Sequence, residues 1–225
     1  MFPTVIFAAG FGTRMQELTI DIPKPLLSFN GSALIEHAIA HARNSKAPSI
    51  SVNAHFQSEK LVSYFTSSDV SVFVEENEIL DTGGGLKRIS LAQNLDTVFT
   101  MNSDTLWTGI NPLTLLMEQW DPETMDALLL CVTPENAEGR TGKKGDFSIG
   151  DDNVITRGGI YTYASCQIIK SQIVRDFSQT VFSLNAIWDD MIYHKRAKAV
   201  IYPDPWIDIG TKQAFEQAKQ KFHGS

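Results

Sequence analysis

The run Gly10-Phe11-Gly12-Thr13-Arg14 follows directly on five apolar residues, Val5-Ile6-Phe7-Ala8-Ala9, and ten residues after Arg14 a lysine stands between two prolines, Pro23-Lys24-Pro25. Consecutive small residues in a turn present consecutive backbone N–H groups, which form a concavity for an anion. Arg14 supplies a planar guanidinium matched to phosphate oxygens, and Thr13 a hydroxyl. The prolines fix the backbone direction on both sides of Lys24, so its ammonium is held in place at small entropic cost. Two aspartates extend the set. Asp104 follows the β-type run Val98-Phe99-Thr100-Met101, and Asp208 stands just ahead of Gly210-Thr211. Magnesium takes one or two carboxylates together with phosphate oxygens and water, and carboxylates at strand and loop ends suit that need. Asp104 also fits as a turn residue or helix cap, and Asp208 as a cap for a final helix, a place for which Thr211 competes.

Two familiar phosphate loops do not fit the spacing. The dinucleotide fingerprint G-x-G-x-x-G requires glycine where Met15 stands. The P-loop G-x-x-x-x-G-K-[ST] fails at Met15 as well, and the pair Gly142-Lys143 has Ala137 where its first glycine belongs.

The elements that must carry these groups alternate between strand and helix. Strands are expected at Thr4–Ala9, Ser49–Ala54, Val70–Glu75, Thr97–Met101 and Ala127–Thr133. Between them, Ser32–Asn44 has apolar residues at helical spacing (Leu34, Ile35, Ala38, Ile39, Ala42), Ser58–Thr66 places Leu61, Val62 and Phe65 on one side, Gly83-Gly84-Gly85 opens a helix to about Leu91, and Asn111–Trp120 forms another. The second half is less regular. Residues 134–150 read as a loop leading into a hairpin of Phe147–Ile149 and Asn153–Thr156. Strands follow at Gly159–Ala164 and Ala199–Tyr202, with helices at Ser171–Phe177, Ile187–His194 and Thr211–Phe222. The pattern predicts an α/β fold, a Rossmann-like three-layer sandwich with a mixed, mainly parallel central sheet, in one domain spanning residues 1–225. In such sheets ligands bind beyond the carboxyl ends of the strands, where the glycine turn, Asn53, His55 and Asp104 fall.

Composition narrows the partners. A net charge of −7 argues against a nucleic-acid partner, which requires a basic face, but not against a small anion held by a few cations and a metal. No apolar run approaches the ~18 residues of a membrane span, and no leader is evident, so a cytoplasmic protein without a membrane partner is expected. Cys131 and Cys166 lie apart in apolar segments and read as small buried hydrophobes of a reducing compartment. A monomer is the expected state.

The sequence "VIFAAGFGTRM…PKPLL" resembles the signature of the sugar-1-phosphate nucleotidyltransferases, strand-A-A-G-x-G-[ST]-R-[ML] followed by P-K-P-[LM]. The resemblance continues through Asp81-Thr82-Gly83-Gly84-Gly85, Asn102-Ser103-Asp104 and Trp206-Ile207-Asp208-Ile209-Gly210-Thr211, from residue 4 to about 219. It implies that Ala8, Ala9, Gly10, Phe11, Gly12, Thr13, Arg14 and Lys24 bind a nucleoside triphosphate, with Gly83, Gly84 and Asn102 beside the nucleotide. It further implies that Asp104 and Asp208 hold magnesium, and that Arg14, Lys24 and Asp104 carry catalysis. The reaction it implies is attack of a sugar-1-phosphate oxygen on the α-phosphorus, with pyrophosphate leaving. A phosphate monoester is mostly dianionic near neutrality, its second pKa being about 6, so the nucleophile needs no general base. His55 is retained only as a possible substrate contact.

In the second half, Gly145-Asp146-Phe147-Ser148, Gly158-Gly159-Ile160-Tyr161 and Phe182-Ser183-Leu184, together with D-T-G-G-G, resemble the branch of that family that transfers uridylyl groups from UTP to N-acetylmuramate 1-phosphate in cell-wall sugar recycling. This implies sugar contacts from Asn53, Asp146 and the Gly158-Gly159 backbone. Asp146 also fits as a hairpin turn residue and Phe182 as a core residue. Arg157 departs from the expected pattern and is a candidate for an acceptor phosphate or carboxylate. The glycine- and lysine-rich stretch 138–145 is a candidate lid or anion contact. Mannose-1-phosphate guanylyltransferases, heptose-phosphate enzymes and choline-phosphate cytidylyltransferases stay open as alternatives, as does a catalytically silent nucleotide-binding regulator.

Overall fold

Strand β1 (Thr4–Phe7) enters the sheet almost at once in the computed structural model, which describes residues 1–140 and 144–223. Two short 3-10 segments follow, Thr13–Thr19 and Lys24–Leu26, then a hairpin of β2 (Ser28–Phe29) and β3 (Ser32–Ala33) that delivers helix α1 (Leu34–Asn44). The chain then alternates: β4 (Ile50–Ala54), α2 (Ser58–Phe65), β5 (Val70–Val74), α3 (Asp81–Gln93), β6 (Thr97–Asn102), β7 (Thr105–Trp107), α4 (Pro112–Gln119) and β8 (Ala127–Val132). The rest comprises β9 (Ala137–Glu138), β10 (Phe147–Ile149), β11 (Ile155–Arg157), β12 (Thr162–Lys170), α5 (Ser171–Asp176), α6 (Leu184–Tyr193), β13 (Ala197–Ile201), β14 (Trp206–Asp208) and α7 (Lys212–His223).

Seven strands form the main sheet in the order β13-β8-β12-β6-β1-β4-β5. Only β12 runs against its neighbours; the other pairings are parallel. Alternation along each strand sends side chains to opposite faces. Ile6, Phe99, Leu128 and Leu130 pack with Ile35, Ile39, Leu61 and Leu113 of α1, α2 and α4. Val5, Val98, Leu129 and Cys131 pack with Leu86, Ile89, Val174, Ile187 and Trp188 of α3, α5 and α6. The predicted three-layer sandwich with a mixed, mainly parallel sheet is therefore the observed architecture. All five predicted apolar positions of α1 are buried. On α2 only Leu61 and Phe65 are buried; Val62, predicted on the same side, is 44% exposed because the helix packs on a narrower stripe. Both cysteines are buried and free, and burial pushes each thiol upward.

A second, three-stranded sheet of β7, β14 and β9 stands at one edge of the fold and was not predicted. Its strands have two or three residues each, too few for a period to show. It rests on a third apolar cluster, in which Met15, Phe29, Leu34, Leu106, Ile207, Ile209 and Phe215 of α7 meet. Met15 is fully buried there, so the residue that breaks the dinucleotide fingerprint anchors the far end of the glycine turn. Complete burial of such a side chain contributes about 1.5–3 kcal/mol.

Candidate functional site

Parallel register brings the ends of three strands together. Phe7 pairs with Asn53 of β4 on one side and with Asn102 of β6 on the other. The chain leaving β1 therefore opens onto the carboxyl edge of the sheet, over a cleft of about 370 Å³. A Cβ at Gly10 would meet nothing within 4 Å, so the backbone there faces open cleft. Gly12 adopts φ +67°, a left-handed conformation natural to glycine, and an added Cβ would fall 3.2 Å from Lys24 Cβ and from Thr19 Cγ2. Its carbonyl accepts from the Met15 N–H at 2.8 Å and from Thr19 Oγ1 at 3.1 Å, which closes the turn. Phe11, 47% exposed, lines the cleft and meets the His55 ring edge-on. His55 itself donates from Nδ1 to the Glu75 carbonyl at 2.6 Å.

Lys24 reaches across to Asp104, with Nζ donating to Oδ2 at 2.5 Å and only 9% of the lysine side chain exposed. The ion pair joins the proline segment to the end of β6. Asp208 arrives beside them on β14, whose Asp208 pairs with Thr105 and whose next residue, Ile209, donates its N–H to the Asp104 carbonyl at 2.9 Å. Ile207 and Ile209 point into the third cluster, so Asp208 between them points the other way. Gly210 keeps the approach clear: a Cβ there would lie 2.8 Å from Asp208 Oδ1 and 3.3 Å from Arg14 Nη1. Burial pushes the Asp208 carboxyl above its ordinary range, the neighbouring Asp104 adds to this, and Lys24, Arg14 and Arg140 oppose it. Two hard carboxylates that disfavour each other's charge, with a lysine and an arginine alongside, suit a divalent cation shared with phosphate oxygens. No cluster of three or more metal-ligating side chains occurs among the described residues, so substrate oxygens and water would complete such a shell.

Several sequence expectations find other partners. Asn53, read as a sugar contact, is 4% exposed, and both ends of its amide are engaged: Oδ1 accepts from the Ala8 N–H and Nδ2 donates to Glu75, each at 2.8 Å. Gly83 and Gly84, expected beside the nucleotide, pack closely against the 180–182 segment. Added Cβ atoms would fall 2.3 Å from Phe182 Cε2 and 2.2 Å from the Thr180 carbonyl oxygen, and both glycine N–H groups donate to the Phe182 carbonyl. Glycine inside a helix costs roughly 1 kcal/mol against alanine; close packing of α3 on this segment accounts for it. Phe182 is a buried core residue. Asp81, with φ +61°, and Thr82 line the cleft in their place.

In the second half, Asp146 is held by a bidentate pair from Arg140, at 2.6 and 2.7 Å, and accepts from the Tyr163 N–H at 2.9 Å. Burial raises its pKa, but these donors outweigh burial and hold the carboxyl below its ordinary range. Arg157 ties β11 to α6, and its charge also reaches Asp146. Its guanidinium donates to Asp189 at 2.7 Å and to the Asn185 side chain and carbonyl at 2.9 Å, and covers the Phe147 ring. Gly159, at φ +120°, is required by the approach of Ser148 within 2.2 Å of its missing Cβ. Asn102 donates to Ser165 Oγ at 3.3 Å from the rim of the cleft. The expected lid at 134–150 includes residues 141–143, which lie outside the described residues. The sequence reading passed over Arg140, whose charge reaches both Asp146 and Asp208. Its only signal was membership of a basic, glycine-rich stretch.

Comparison with known proteins bears on the family and the fold. A family model described as the MobA-like NTP transferase domain matches residues 4–176. N-acetylmuramate alpha-1-phosphate uridylyltransferase of Caulobacter vibrioides is 27% identical over 224 residues, 93% of this chain and 92% of the relative. D-glycero-alpha-D-manno-heptose 1-phosphate guanylyltransferase of Campylobacter jejuni is 23% identical over 94% of this chain and 96% of its own. Among solved structures, HddC from Yersinia pseudotuberculosis, complexed with GMP-PN, superposes with a TM-score of 0.77 at 21% identity, covering 99% of this chain and all of that one.

Proposed function

The chain belongs to the MobA-like NTP transferase domain family, and on that premise we propose that its cleft joins a nucleoside triphosphate to a sugar 1-phosphate, releasing pyrophosphate. The observation that carries the proposal is the convergence of Lys24, Asp104, Arg14 and Asp208 beside the open face of Gly10. The backbone from Gly10 to Thr13 receives the phosphates. Arg14 and Lys24 neutralise charge as the bond from the α-phosphorus to the leaving pyrophosphate breaks and the bond to the sugar phosphate oxygen forms. Asp104 and Asp208 are the residues that would hold magnesium. When bound, that ion supplies charge neutralisation and orientation of phosphate oxygens. Lys24 meanwhile holds Asp104 in place beside the cleft. The dianionic acceptor requires no proton removal, which is consistent with His55 being committed to the Glu75 carbonyl.

UTP and N-acetylmuramate 1-phosphate are the substrates we favour. Near full-length similarity to the Caulobacter enzyme supports this, as do the D-T-G-G-G and G-D-F stretches. The guanylyltransferase relatives favour a second reading, with GTP and a heptose or mannose phosphate. The experiment is pyrophosphate release with magnesium, with UTP, GTP, CTP and dTTP each tested against N-acetylmuramate, glucosamine, mannose and heptose 1-phosphates and choline phosphate. Fast release confined to UTP with N-acetylmuramate 1-phosphate supports the favoured pair. Release with GTP and mannose or heptose phosphate moves the assignment to guanylyl transfer. No release with any pair would overturn the enzymatic reading.

A further inference from the structure

Asn53, which lines the cleft, is built into a chain of hydrogen bonds that runs from the glycine turn to the start of α3. On one side is Ala8, the first residue past β1 and the start of the glycine turn. On the other is Leu80, the residue before Asp81 and Thr82, which line the opposite wall at the start of α3. These backbone positions do not bond each other in this chain of contacts; two side chains link them. The Ala8 N–H donates to Asn53 Oδ1 at 2.8 Å, Asn53 Nδ2 donates to Glu75 Oε1 at 2.8 Å, and Glu75 Oε2 accepts from the Leu80 N–H at 2.8 Å. Asn53 and Glu75 are 4% and 2% exposed, so water does not compete for these bonds. Gly85 packs against the middle of the chain, where a Cβ would fall 2.7 Å from Asn53 Nδ2 and 2.9 Å from Glu75 Oε1.

We infer that Asn53 and Glu75 are positioning residues that set the separation of the triphosphate turn from the wall at the start of α3, and so fix the fit of the nucleotide. The inference rests on the proposed nucleotide-binding function of the cleft. The order of donors along the chain gives it a sharp signature. In Asn53→Asp the N–H that faces Glu75 becomes a carboxylate oxygen, and two buried acceptors oppose each other. In the double variant Asn53→Asp with Glu75→Gln, the new carboxylate accepts from the Ala8 N–H and from the new amide, while the amide oxygen accepts from the Leu80 N–H. The polarity of the middle bond is reversed, and each of the three bonds keeps one donor and one acceptor.

The test measures KM and kcat for the nucleotide and for the sugar phosphate in wild type, both single variants and the double variant, together with amide hydrogen exchange at Ala8 and Leu80 and thermal midpoints. Leaving a buried polar group unpaired is costly, so nucleotide KM is expected to rise about tenfold or more in Asn53→Asp. The double variant is expected to return within about threefold of wild type, a coupling that independent sites do not show. The sugar phosphate KM is expected to hold throughout. A purely structural role would lower kcat through loss of folded enzyme and leave nucleotide KM unmoved, which would overturn the inference. Additive effects in the double variant would overturn it too. Should wild type turn over no nucleotide, the proposed function fails; unchanged exchange at Ala8 and Leu80 in Asn53→Ala would then overturn the linkage itself, and faster exchange at both would sustain it.

Discussion

The glycine-turn end of the cleft and the region of Arg140 and residues 144–163 both carry charged and glycine residues, yet they use them in opposite ways. At the glycine-turn end, Arg14 and Asp208 converge across Gly210, and Lys24 is held by Asp104. In the second region, Arg157 spends three nitrogens and its π-face on α6 and Phe147, and Asp146 is enclosed by Arg140 and the Tyr163 backbone. Arg14, Lys24 and Asp104 border the cleft, and Arg157 and Asp146 are taken up by hydrogen bonds within the fold. The two ends should therefore respond differently to the same kind of substitution.

The largest difference is expected from Lys24→Ala. With a leaving-group cation gone, turnover should fall by a factor of about 10²–10³, while the protein stays folded with a lowered thermal midpoint. A stopped assay of pyrophosphate release checks the first, and a melting curve the second. Next is Gly83→Ala. Its new methyl group must displace the Phe182 ring, at 2.3 Å, and overpacking of this kind costs about 1–3 kcal/mol. Urea unfolding measures it, and no loss would show that the glycines serve the ligand after all.

Arg157→Ala should cost about 1–2 kcal/mol of stability through lost hydrogen bonds and ring contact, discounted because the guanidinium is partly exposed. The sugar phosphate KM should stay within about twofold of wild type, the scatter expected for a residue outside the site. A rise in that KM would return Arg157 to the acceptor site. The smallest effect concerns Asp126, which binds Arg196 at 2.8 and 2.9 Å and Lys170 at 2.9 Å. Burial pushes this carboxyl up, but the donors prevail and hold it below its ordinary value. Its stabilisation is present above the unfolded-state pKa and is lost as pH falls through the folded one. The melting-temperature gap between wild type and Asp126→Asn should thus be widest near neutrality and close below about pH 4, the ordinary aspartate range.

What could be read from the sequence follows the same division. The five buried positions of α1 were legible because they repeat at the helical period, and Gly10–Arg14, Lys24 and Asp104 because each sits at a strand end or between prolines. The small sheet of β7, β9 and β14 was not, since two- and three-residue strands carry no period, although it is what delivers Asp208. Strand β12 runs from Thr162 to Lys170, past the end at Ala164 that the sequence suggested. Its register shifts between Tyr163 and Gln167, and Ser165 there has φ +56°, which interrupts the alternation. Asn53 is legible at its strand end, but its bond to Glu75 is not, because Glu75 is a lone carboxylate at a strand end and only the parallel register of β4 and β5 brings them together. Arg140 and Arg157 show the same limit: their partners, near and far along the chain, are set by tertiary packing, which residue type does not report.

The most direct test of the central claim is a side-by-side measurement of pyrophosphate release by Asp104→Asn and Arg157→Ala at saturating magnesium, nucleotide and sugar phosphate. The expected result is near-complete loss in the first and a rate close to wild type in the second. A nearly active Asp104→Asn beside an inactive but folded Arg157→Ala would contradict it and place the chemistry in the region of Arg157.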